Sequence, residues 1–366
     1  MTSAVLFGGP SPEHDVSILT GLQALRELRG AGSVVGIYWS KAGVFYQVPN
    51  DLEAADFLGG VPRGSSALVL QAGEEGGFIT VAGRLGRGRR LDLEAVVLAT
   101  HGGPGEDGTL QAALDLAGVA YAGPTVAGAA LGMDKWSFAA AVGTAGLPTL
   151  PRVLLEEGVT LPFDGPYILK PRFGGSSIGI DVVIDEDTAR ARATTNPHLA
   201  RGCVVEPYRA DLRDLQIAVR TFPVLELSAL ERPLRAAGAG EILDYRDKYV
   251  GGEGMVSAPR ELPANVAPDL AEALRAAART VAAVASVRGV ARIDFLASDD
   301  EWYVNEINTI PGSLSKHLFV DPPLPFAQLL ADLIAEARQR PSHQYSAAGA
   351  DGVVLRSAGT IAAKLA

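Results

Sequence analysis

The sequence contains one cysteine, Cys203, so it can form neither an intrachain disulfide nor a metal site built from several thiolates. It has no run approaching the roughly 18 consecutive apolar residues that cross a bilayer, and no membrane-spanning segment is predicted. The first residues also lack the basic leader and apolar stretch of a signal peptide. Together these features favour a cytoplasmic protein.

An excess of positive charge is also absent. The 366 residues carry a formal net charge of −10, whereas proteins that bind nucleic acids generally show a basic surface, so no nucleic-acid partner is expected. Hydrophobic residues make up 48% of the chain, which is ordinary for a globular protein with a sizeable core. The length predicts about two to three domains.

Apolar runs of strand length alternate with helical patterns in residues 1–124. Strands are predicted at 3–7, 33–39 and 93–100, and helices at 16–28 and 109–117. This alternation predicts an α/β domain with a parallel sheet flanked by helices. The Gly- and Arg-rich segment 59–90, with Arg84, Arg87, Arg89 and Arg90, is interpreted as a solvated turn in preference to a phosphate site.

Two further regions follow, at 125–209 and 210–340, and the tail 341–366 is left unassigned. The first of them is predicted to open on one long helix at 126–145. Strands are predicted at 167–170, 179–184, 204–206, 215–221, 224–228, 290–297 and 302–307, with a helix at 268–286 and a loop at 232–262.

The strongest group of polar residues lies on the last two predicted strands. Residues two apart on a strand share a face, so Arg292 points with Asp294, and Glu306 points with Asn308. In an antiparallel hairpin with a loop of odd length, Asp294 faces Glu306. Hard oxygen ligands of this kind suit Mg²⁺, and Arg292 is then the cation beside a transferring phosphoryl group. The competing interpretation is a surface hairpin with ordinary salt bridges.

A second candidate is the loop Gly174-Gly175-Ser176-Ser177, which follows Lys170. Its backbone N–H groups can cradle phosphate oxygens, although such loops often only turn the chain, and the P-loop pattern is absent. Lys135 and Glu206, each taken alone, are only weak indications of a nucleotide-binding site.

Glu13 and His101 each follow a strand predicted for the first sheet, at the edge where ligands usually bind. The two residues are therefore expected near each other. A buried structural histidine is the competing interpretation for His101.

Read in order, these segments resemble the successive motifs of the D-alanine–D-alanine ligase family of the ATP-grasp superfamily. The motifs are FGGPSPEHDVS, HGGPGEDGTLQ, MDKWSF, KPRFGGSSIG, VVEPY, DYRDKY, ARIDF and NEINTIPG, between about residues 3 and 320. The resemblance implies a three-domain ATP-grasp architecture, with an N-terminal parallel α/β domain and two grasp subdomains of mixed or antiparallel sheet. ATP would lie between the two grasp sheets.

The resemblance also implies a role for each matching residue. Contacts to ATP would come from Lys135, Lys170, Ser176, Ser177, Glu206, Pro207, Tyr208, Arg209 and Asp214. Two Mg²⁺ ions, replaceable by Mn²⁺, would be held by Asp294, Glu306 and Asn308. Arg292 and the N–H of Gly312 would stabilise the tetrahedral centre, while Glu13 holds the ammonium of the first D-alanine. The trio Glu13, Ser176 and Tyr249 would close a loop over the site, Lys248 would face the acceptor carboxylate, and His101 would lie among the substrate-binding residues.

The implied reaction joins two D-alanines through an acyl phosphate, as a step in peptidoglycan precursor synthesis, in an enzyme expected to be a homodimer. Segment 232–262 would act as a lid that excludes water. Tyr249 indicates an amino-acid acceptor, since a histidine in an altered loop accompanies hydroxy acids in this family.

The chain departs from the family pattern at Asp214, where the family usually has the longer Glu, and at two further places. The family serine that helps to bind the acceptor carboxylate is replaced by His317, with Ser315 or Lys316 as possible substitutes, and Phe173-Gly174 replaces polar residues.

The alternative is therefore a related ligase for a different amino-acid pair, with a biosynthetic or resistance role. A nucleotide-binding protein without catalysis would predict a broken metal set, and a dinucleotide-dependent oxidoreductase lacks its GxGxxG motif after the first strand.

Overall fold

The computed structural model describes residues 2–30, 32–81, 88–234, 259–341 and 346–358. Arg84, Arg87, Lys248 and Tyr249 lie outside these ranges, as does most of the predicted lid. The described helices are α1 His14–Arg29, α2 Thr109–Leu116, α3 Val126–Met133, α4 Lys135–Thr144, α5 Glu186–Thr195, α6 Pro268–Val284, α7 Phe326–Gln339 and α8 Val353–Ala358. The described strands are β1 Thr2–Gly8, β2 Val34–Trp39, β3 Phe45–Val48, β4 Ser66–Gln71, β5 Gly77–Thr80, β6 Leu93–Leu98, β7 Tyr121–Ala122, β8 Val153–Leu154, β9 Tyr167–Pro171, β10 Asp181–Val183, β11 Cys203–Pro207, β12 Arg213–Arg220, β13 Glu226–Leu227, β14 Arg232–Pro233, β15 Arg260–Glu261, β16 Val290–Ala297 and β17 Trp302–Asn308.

The first sheet has seven strands in the order β5-β4-β3-β2-β1-β6-β7. Strands β2, β1, β6 and β7 are parallel, as predicted, and β3, β4 and β5 extend the sheet as an antiparallel edge. The interpretation of 59–90 as a turn was wrong where β4 and β5 lie. These strands are short, β5 forms the sheet edge, and Leu68 and Phe78 are their buried large side chains.

Helix α1 packs closely against β1, which orients the loop between them. A Cβ on Gly21 would lie 2.3 Å from Cγ of Phe7, so only glycine allows this contact. Ser17 Oγ accepts a 2.7 Å bond from the Gly8 N–H and donates a 2.7 Å bond to the Ala99 carbonyl. The loop that carries Glu13 is therefore anchored to both β1 and the end of β6.

The single helix predicted at 126–145 was wrong, because Asp134 divides it into α3 and α4. Asp134 has a non-helical backbone, with φ −87° and ψ 96°, and its carboxylate accepts the N–H groups of Trp136 and Ser137 as the N-cap of α4. The same carboxylate receives a bidentate bond from Arg172, at 2.8 and 2.6 Å. The helix break thus attaches α4 to the loop that follows β9.

Two antiparallel four-stranded sheets follow, in the orders β10-β9-β11-β8 and β13-β12-β16-β17, and β14 pairs with β15 in a separate two-stranded sheet. Fully buried Ile217, Ile293 and Phe295 lie on the second of these sheets and pack under α6. In both four-stranded sheets, side chains on the face opposite the buried core line a cavity.

Helix α7 returns to the first sheet, where Leu329, Leu330 and Leu333 join its core. The turn Gly312–Leu318 also packs on α1, and Ser313, Leu314 and Ser315 all have left-handed backbone angles, with φ of 48°, 50° and 51°. Such angles cost about 1–2 kcal/mol for each non-glycine residue, so the surrounding packing must hold this turn in place.

Candidate active site

One cavity of about 280 Å³ lies where the three large sheets meet. Every predicted site residue that the structure describes lines it: Glu13, His101, Lys135, Lys170, Ser176, Ser177, Glu206, Pro207, Tyr208, Arg209, Asp214, Arg292, Asp294, Glu306, Asn308, Gly312 and His317. Lys248 and Tyr249 lie outside the described residues, so their roles stay predictions.

Asp294 faces Glu306 across the β16–β17 hairpin, as predicted, but the loop 298–301 that joins the strands has four residues and not the odd number assumed. Asp294 pairs with Glu306 and Arg292 pairs with Asn308, all on the face that lines the cavity. Arg292 donates two bonds to Asp294, at 2.7 and 2.8 Å, and Asn308 Nδ2 donates a third at 3.0 Å. A register shift after Asp294 leaves Asn305 as an extra residue in β17.

Lys135 and Lys170 approach this hairpin from the other side of the cavity. Lys135 Nζ donates a 2.5 Å bond to the Gly174 carbonyl and lies 3.3 Å from Glu306 Oε2. Lys170 Nζ donates to Glu206 Oε2 at 2.8 Å and to Asn305 Oδ1 at 3.1 Å. Two ammonium groups in one cavity can neutralise the phosphates of a nucleotide.

Glu206 has no exposed surface, and its carboxylate lies between Lys170 and Arg152, whose Nε is 2.7 Å from Glu206 Oε1. Burial acts to raise the pKa of Glu206, but the charges of Arg152 and then Lys170 hold that pKa below its ordinary value. The sequence reasoning missed Arg152, since a single arginine after a proline carries no pattern that would single it out.

Glu13 is joined to the Gly/Ser loop by a short hydrogen bond that Ser176 Oγ donates to Glu13 Oε1. Ser176 and Ser177 have φ of 52° and 58°, left-handed values that are uncommon for serine. Consecutive residues in this conformation turn the loop back, and both serines line the cavity.

His101 is buried, and both its ring nitrogens are bonded to protein. Nδ1 contacts the Ile310 carbonyl at 2.8 Å, and Nε2 lies 2.8 Å from Thr20 Oγ1, which itself accepts the Ser313 N–H. Burial lowers the pKa of His101 to about 4, so the ring is neutral near pH 7. The geometry shows His101 supporting the turn around Gly312, and its contact with substrate stays a prediction.

Glu106 is a cavity residue that the sequence reasoning did not select. Its carboxylate accepts the N–H of Ile310 at 2.9 Å and that of Gly102 at 3.0 Å, so it ties the loop after β6 to the residues after β17. Burial, and then the neighbouring charge of Glu13, raises the pKa of Glu106 to about 7. The sequence feature that could have identified this residue is the glutamate within the motif HGGPGEDG.

Among residues 313–317, His317 is the one that lines the cavity. Its Nε2 lies 3.5 Å from Glu231 Oε2, and Arg260 lies 3.0 Å from Glu231 Oε1. Burial acts to raise the pKa of Glu231, but the hydrogen bond and charge of His317 and the charge of Arg260 hold it below its ordinary value. Lys316 instead lies over the Phe326 ring, and Ser315 is fully buried, so neither lines the cavity, and substitution of the family serine by either stays a prediction.

The chemistry of the hairpin fits a divalent cation with hard-ligand preference. Asp294, Glu306 and Asn308 offer carboxylate and amide oxygens on one face, which is the donor set that Mg²⁺ takes beside phosphate. Within the described ranges, no cluster of three or more His, Cys, Asp or Glu side chains is arranged around a common point. The predicted metal ligands are two carboxylates and one amide, so they do not form a cluster of three such side chains.

Two antiparallel sheets that face each other across a cavity, with a lysine pair on one side and an acidic hairpin on the other, define the ATP-grasp class. Family models described as "D-ala D-ala ligase N-terminus" and "D-ala D-ala ligase C-terminus" match residues 2–124 and 152–335. The chain therefore belongs to the D-alanine–D-alanine ligase family.

Relatives agree with this assignment. The D-alanine–D-alanine ligase of Bradyrhizobium sp. (strain ORS 278) is 31% identical over 360 residues, which cover 92% of this chain and 95% of that protein. The enzyme of the same name from Campylobacter lari is 32% identical over 327 residues, covering 88% and 90% of the two chains. Among solved structures, the VanG D-Ala:D-Ser ligase of Enterococcus faecalis has a TM-score of 0.76 at 24% identity, covering 92% of this chain and 99% of that one. The D-alanine–D-alanine ligase of Helicobacter pylori has a TM-score of 0.72 at 24% identity, covering 94% and 100%.

Proposed function

We propose that this chain is an ATP-dependent ligase that joins two D-alanine molecules into D-alanyl-D-alanine for peptidoglycan synthesis. The observation that carries the proposal is that the β16–β17 hairpin and the lysine-flanked Gly/Ser loop face one cavity. An enzyme that phosphorylates a carboxylate needs these two parts opposite each other, because the phosphates must lie between cations and metal ligands.

Each group has a task that its position supports. Lys135 and Lys170 neutralise the phosphates, and the segment after β11 holds the adenosine, with Asp214 at the ribose. Glu13 takes the ammonium of the first D-alanine. Arg292 and the Gly312 N–H stabilise negative charge on the reacting carbonyl oxygen.

The reaction proceeds in two displacements. The carboxylate of the first D-alanine attacks the γ-phosphorus of ATP, with ADP leaving, and forms an acyl phosphate. The free amine of the second D-alanine then attacks the acyl carbon and forms the C–N bond. The C–O bond to phosphate breaks, and inorganic phosphate leaves with one oxygen of the original carboxylate and takes up the proton that the amine loses. The protein supplies no nucleophile, so catalysis consists of positioning and charge neutralisation.

Asp294, Glu306 and Asn308 are the residues that would hold Mg²⁺, with Mn²⁺ as a substitute. Bound there, the cation supplies charge neutralisation to the phosphate oxygens. Two ions, a homodimer, a cytoplasmic location and the domain limits 1–124, 125–209 and 210–340 are parts of the same proposal. Across the described ranges, none of the helices has both the length and the apolar character needed to cross a bilayer.

The test is to incubate the purified chain with ATP, Mg²⁺ and D-alanine and to identify the product by mass spectrometry. We expect a dipeptide mass and one ADP for each peptide bond. ADP release without dipeptide, or no reaction with D-alanine, would contradict the proposal.

A ligase with a different acceptor is the second candidate, and His317 is the observation that favours it. An imidazole held by Glu231 occupies the position where the family has a serine hydroxyl. A panel of D- and L-amino acids offered as acceptors, with D-alanine as donor, separates the two candidates.

A further inference from the structure

Arg152 lies behind the cavity, with only 4% of its side chain exposed. Its Nε is 2.7 Å from Glu206 Oε1, and its two terminal nitrogens donate to the carbonyls of Lys135 at 2.9 Å and Asn305 at 2.6 Å. One guanidinium thus contacts β11, the start of α4 and β17. The fixed fork of arginine suits three such contacts, whereas an ammonium cannot reproduce their geometry.

The charges around Glu206 do not balance as a simple pair. Its carboxylate is completely buried, and both Arg152 and Lys170 contact it, one at each oxygen. A buried carboxylate needs one cation to compensate it, so the group carries one positive charge in excess. Since Arg152 is bonded to protein carbonyls on either side, Lys170 is the cation that can move towards a ligand.

Asn305 connects this group to the catalytic hairpin. It is the extra residue at the register shift in β17, immediately before Glu306. Arg152 bonds its backbone carbonyl, and Lys170 bonds its side-chain oxygen. The sheet that carries Lys170 is therefore attached at this point to the sheet that carries the predicted metal ligands.

We propose that Arg152 is a positioning residue, which neutralises Glu206 so that Lys170 can leave it for the phosphates of ATP. The inference rests on the proposed function, since it assumes that a nucleoside triphosphate binds beside Lys170. Without Arg152, Glu206 would retain Lys170 as its only strong counter-ion, and phosphate binding would weaken although Lys170 is intact.

An ordinary structural salt bridge gives a different expectation. If Arg152 only stabilised the packing, its loss would affect adenosine and triphosphate binding alike. The informative quantity is therefore the ratio of the Kd for a non-hydrolysable ATP analogue, AMPPNP, to the Kd for adenosine, both measured with Mg²⁺ by calorimetry on the full chain.

We expect Arg152→Leu to weaken AMPPNP binding about tenfold, equivalent to about 1.4 kcal/mol, and to change adenosine binding by less than about twofold. In the double variant Arg152→Leu/Glu206→Gln the competing carboxylate charge is gone, so the AMPPNP-to-adenosine ratio should return to within about threefold of the original. Arg152→Lys keeps a positive charge near Glu206, so it should give a smaller loss of AMPPNP affinity. It can be measured instead if Arg152→Leu does not fold.

Arg288→Leu is the matched control. Arg288 is also buried, and it bonds the carbonyls of Tyr121 and Gly123 away from the cavity, so its loss should lower the melting temperature without changing the ratio. An unchanged ratio in the Arg152 variants, or no recovery in the double variant, overturns the inference. Failure of the unaltered chain to bind AMPPNP at all would instead overturn the proposed function.

Discussion

Ser176 donates a hydrogen bond to Glu13 across 163 residues of sequence, and so joins the Gly/Ser loop to the loop that follows β1. The contact crosses between the first sheet and the β10-β9-β11-β8 sheet, above the cavity. Glu13 is the group proposed to hold the substrate ammonium, so the position of one loop determines how the other presents its carboxylate.

The contact between Ser176 and Glu13 predicts a defect when the hydroxyl is removed. We expect Ser176→Ala to lower kcat/KM for D-alanine by about tenfold or more, because a hydrogen bond to a charged group contributes about 1.5–3 kcal/mol. Steady-state ADP release measures this. Ser137→Ala is the control, since Ser137 Oγ bonds Asp134 at 2.7 Å and does not line the cavity. Equal losses in both variants would contradict a specific role for Ser176.

The acidic hairpin predicts a dependence on divalent metal. We expect Glu306→Ala to abolish ATP turnover, and a chelator to do the same to the unaltered chain, with recovery on adding Mg²⁺ or Mn²⁺. Asp299→Asn is the matched control, because Asp299 lies in the turn of the same hairpin, 87% exposed, and pairs only with Arg213 among the contacts described for its side chain. Turnover that survives in Glu306→Ala would show that the metal site has been assigned to the wrong residues.

The strands and helices with strong periodicity could be predicted from the sequence. β16 was predicted with its observed limits, and β17 ended one residue later than predicted. The helix at 126–145 was not predicted correctly, because its apolar Ala-rich pattern continues through Asp134 and hides the cap. β4 and β5 were missed because glycine and arginine dominate the segment around them, although the strands SALVLQ and GFIT themselves contain no arginine.

The site could be predicted where residues carry a spacing signal, and not where they act through tertiary contacts. Asp294 and Glu306 were found because alternate positions of a strand share a face. Arg152 and Glu231 were missed because each is one charged residue whose partners lie far away in sequence. That Lys316 turns to the Phe326 ring depends on the left-handed turn before it, which no local pattern predicts.

The buried imidazole of His101 predicts how stability depends on pH. Its pKa is about 4 in the fold, against 6.5 for the free side chain, so between these values the unfolded chain binds a proton that the folded chain does not. Stability attributable to this residue is therefore present above pH 6.5 and decreases as the pH falls towards 4, by about 3 kcal/mol in total. We expect His101→Asn to lose less stability over this range, as measured by melting temperature.

The exposed His198 provides the comparison for His101. His198→Asn should keep the pH dependence of stability of the unaltered chain. Burial also lowers the pKa of His14, which contributes equally to the acid sensitivity of the unaltered chain and of both variants. If His101→Asn loses stability with falling pH as steeply as His198→Asn, the imidazole is not buried in the neutral form that its contacts with Thr20 and Ile310 indicate.

The last prediction concerns the acceptor and compares two adjacent residues. His317 lines the cavity beside Glu231, whereas Lys316 points away to the Phe326 ring. We expect His317→Ala to raise the KM for the acceptor D-alanine about tenfold, since a hydrogen bond from the imidazole to its carboxylate is lost, and to leave the donor KM within about twofold. Initial rates fitted to a two-site rate law separate the two constants.

Lys316→Ala tests whether charge near the site is sufficient. It removes a cationic side chain one residue away, so if general electrostatic attraction governed acceptor binding, its effect would match or exceed that of His317→Ala. We expect both KM values to stay within about twofold in Lys316→Ala, because its ammonium does not line the cavity. A donor KM that rises with the acceptor KM in His317→Ala would mean that the imidazole supports the whole cavity and does not select the acceptor.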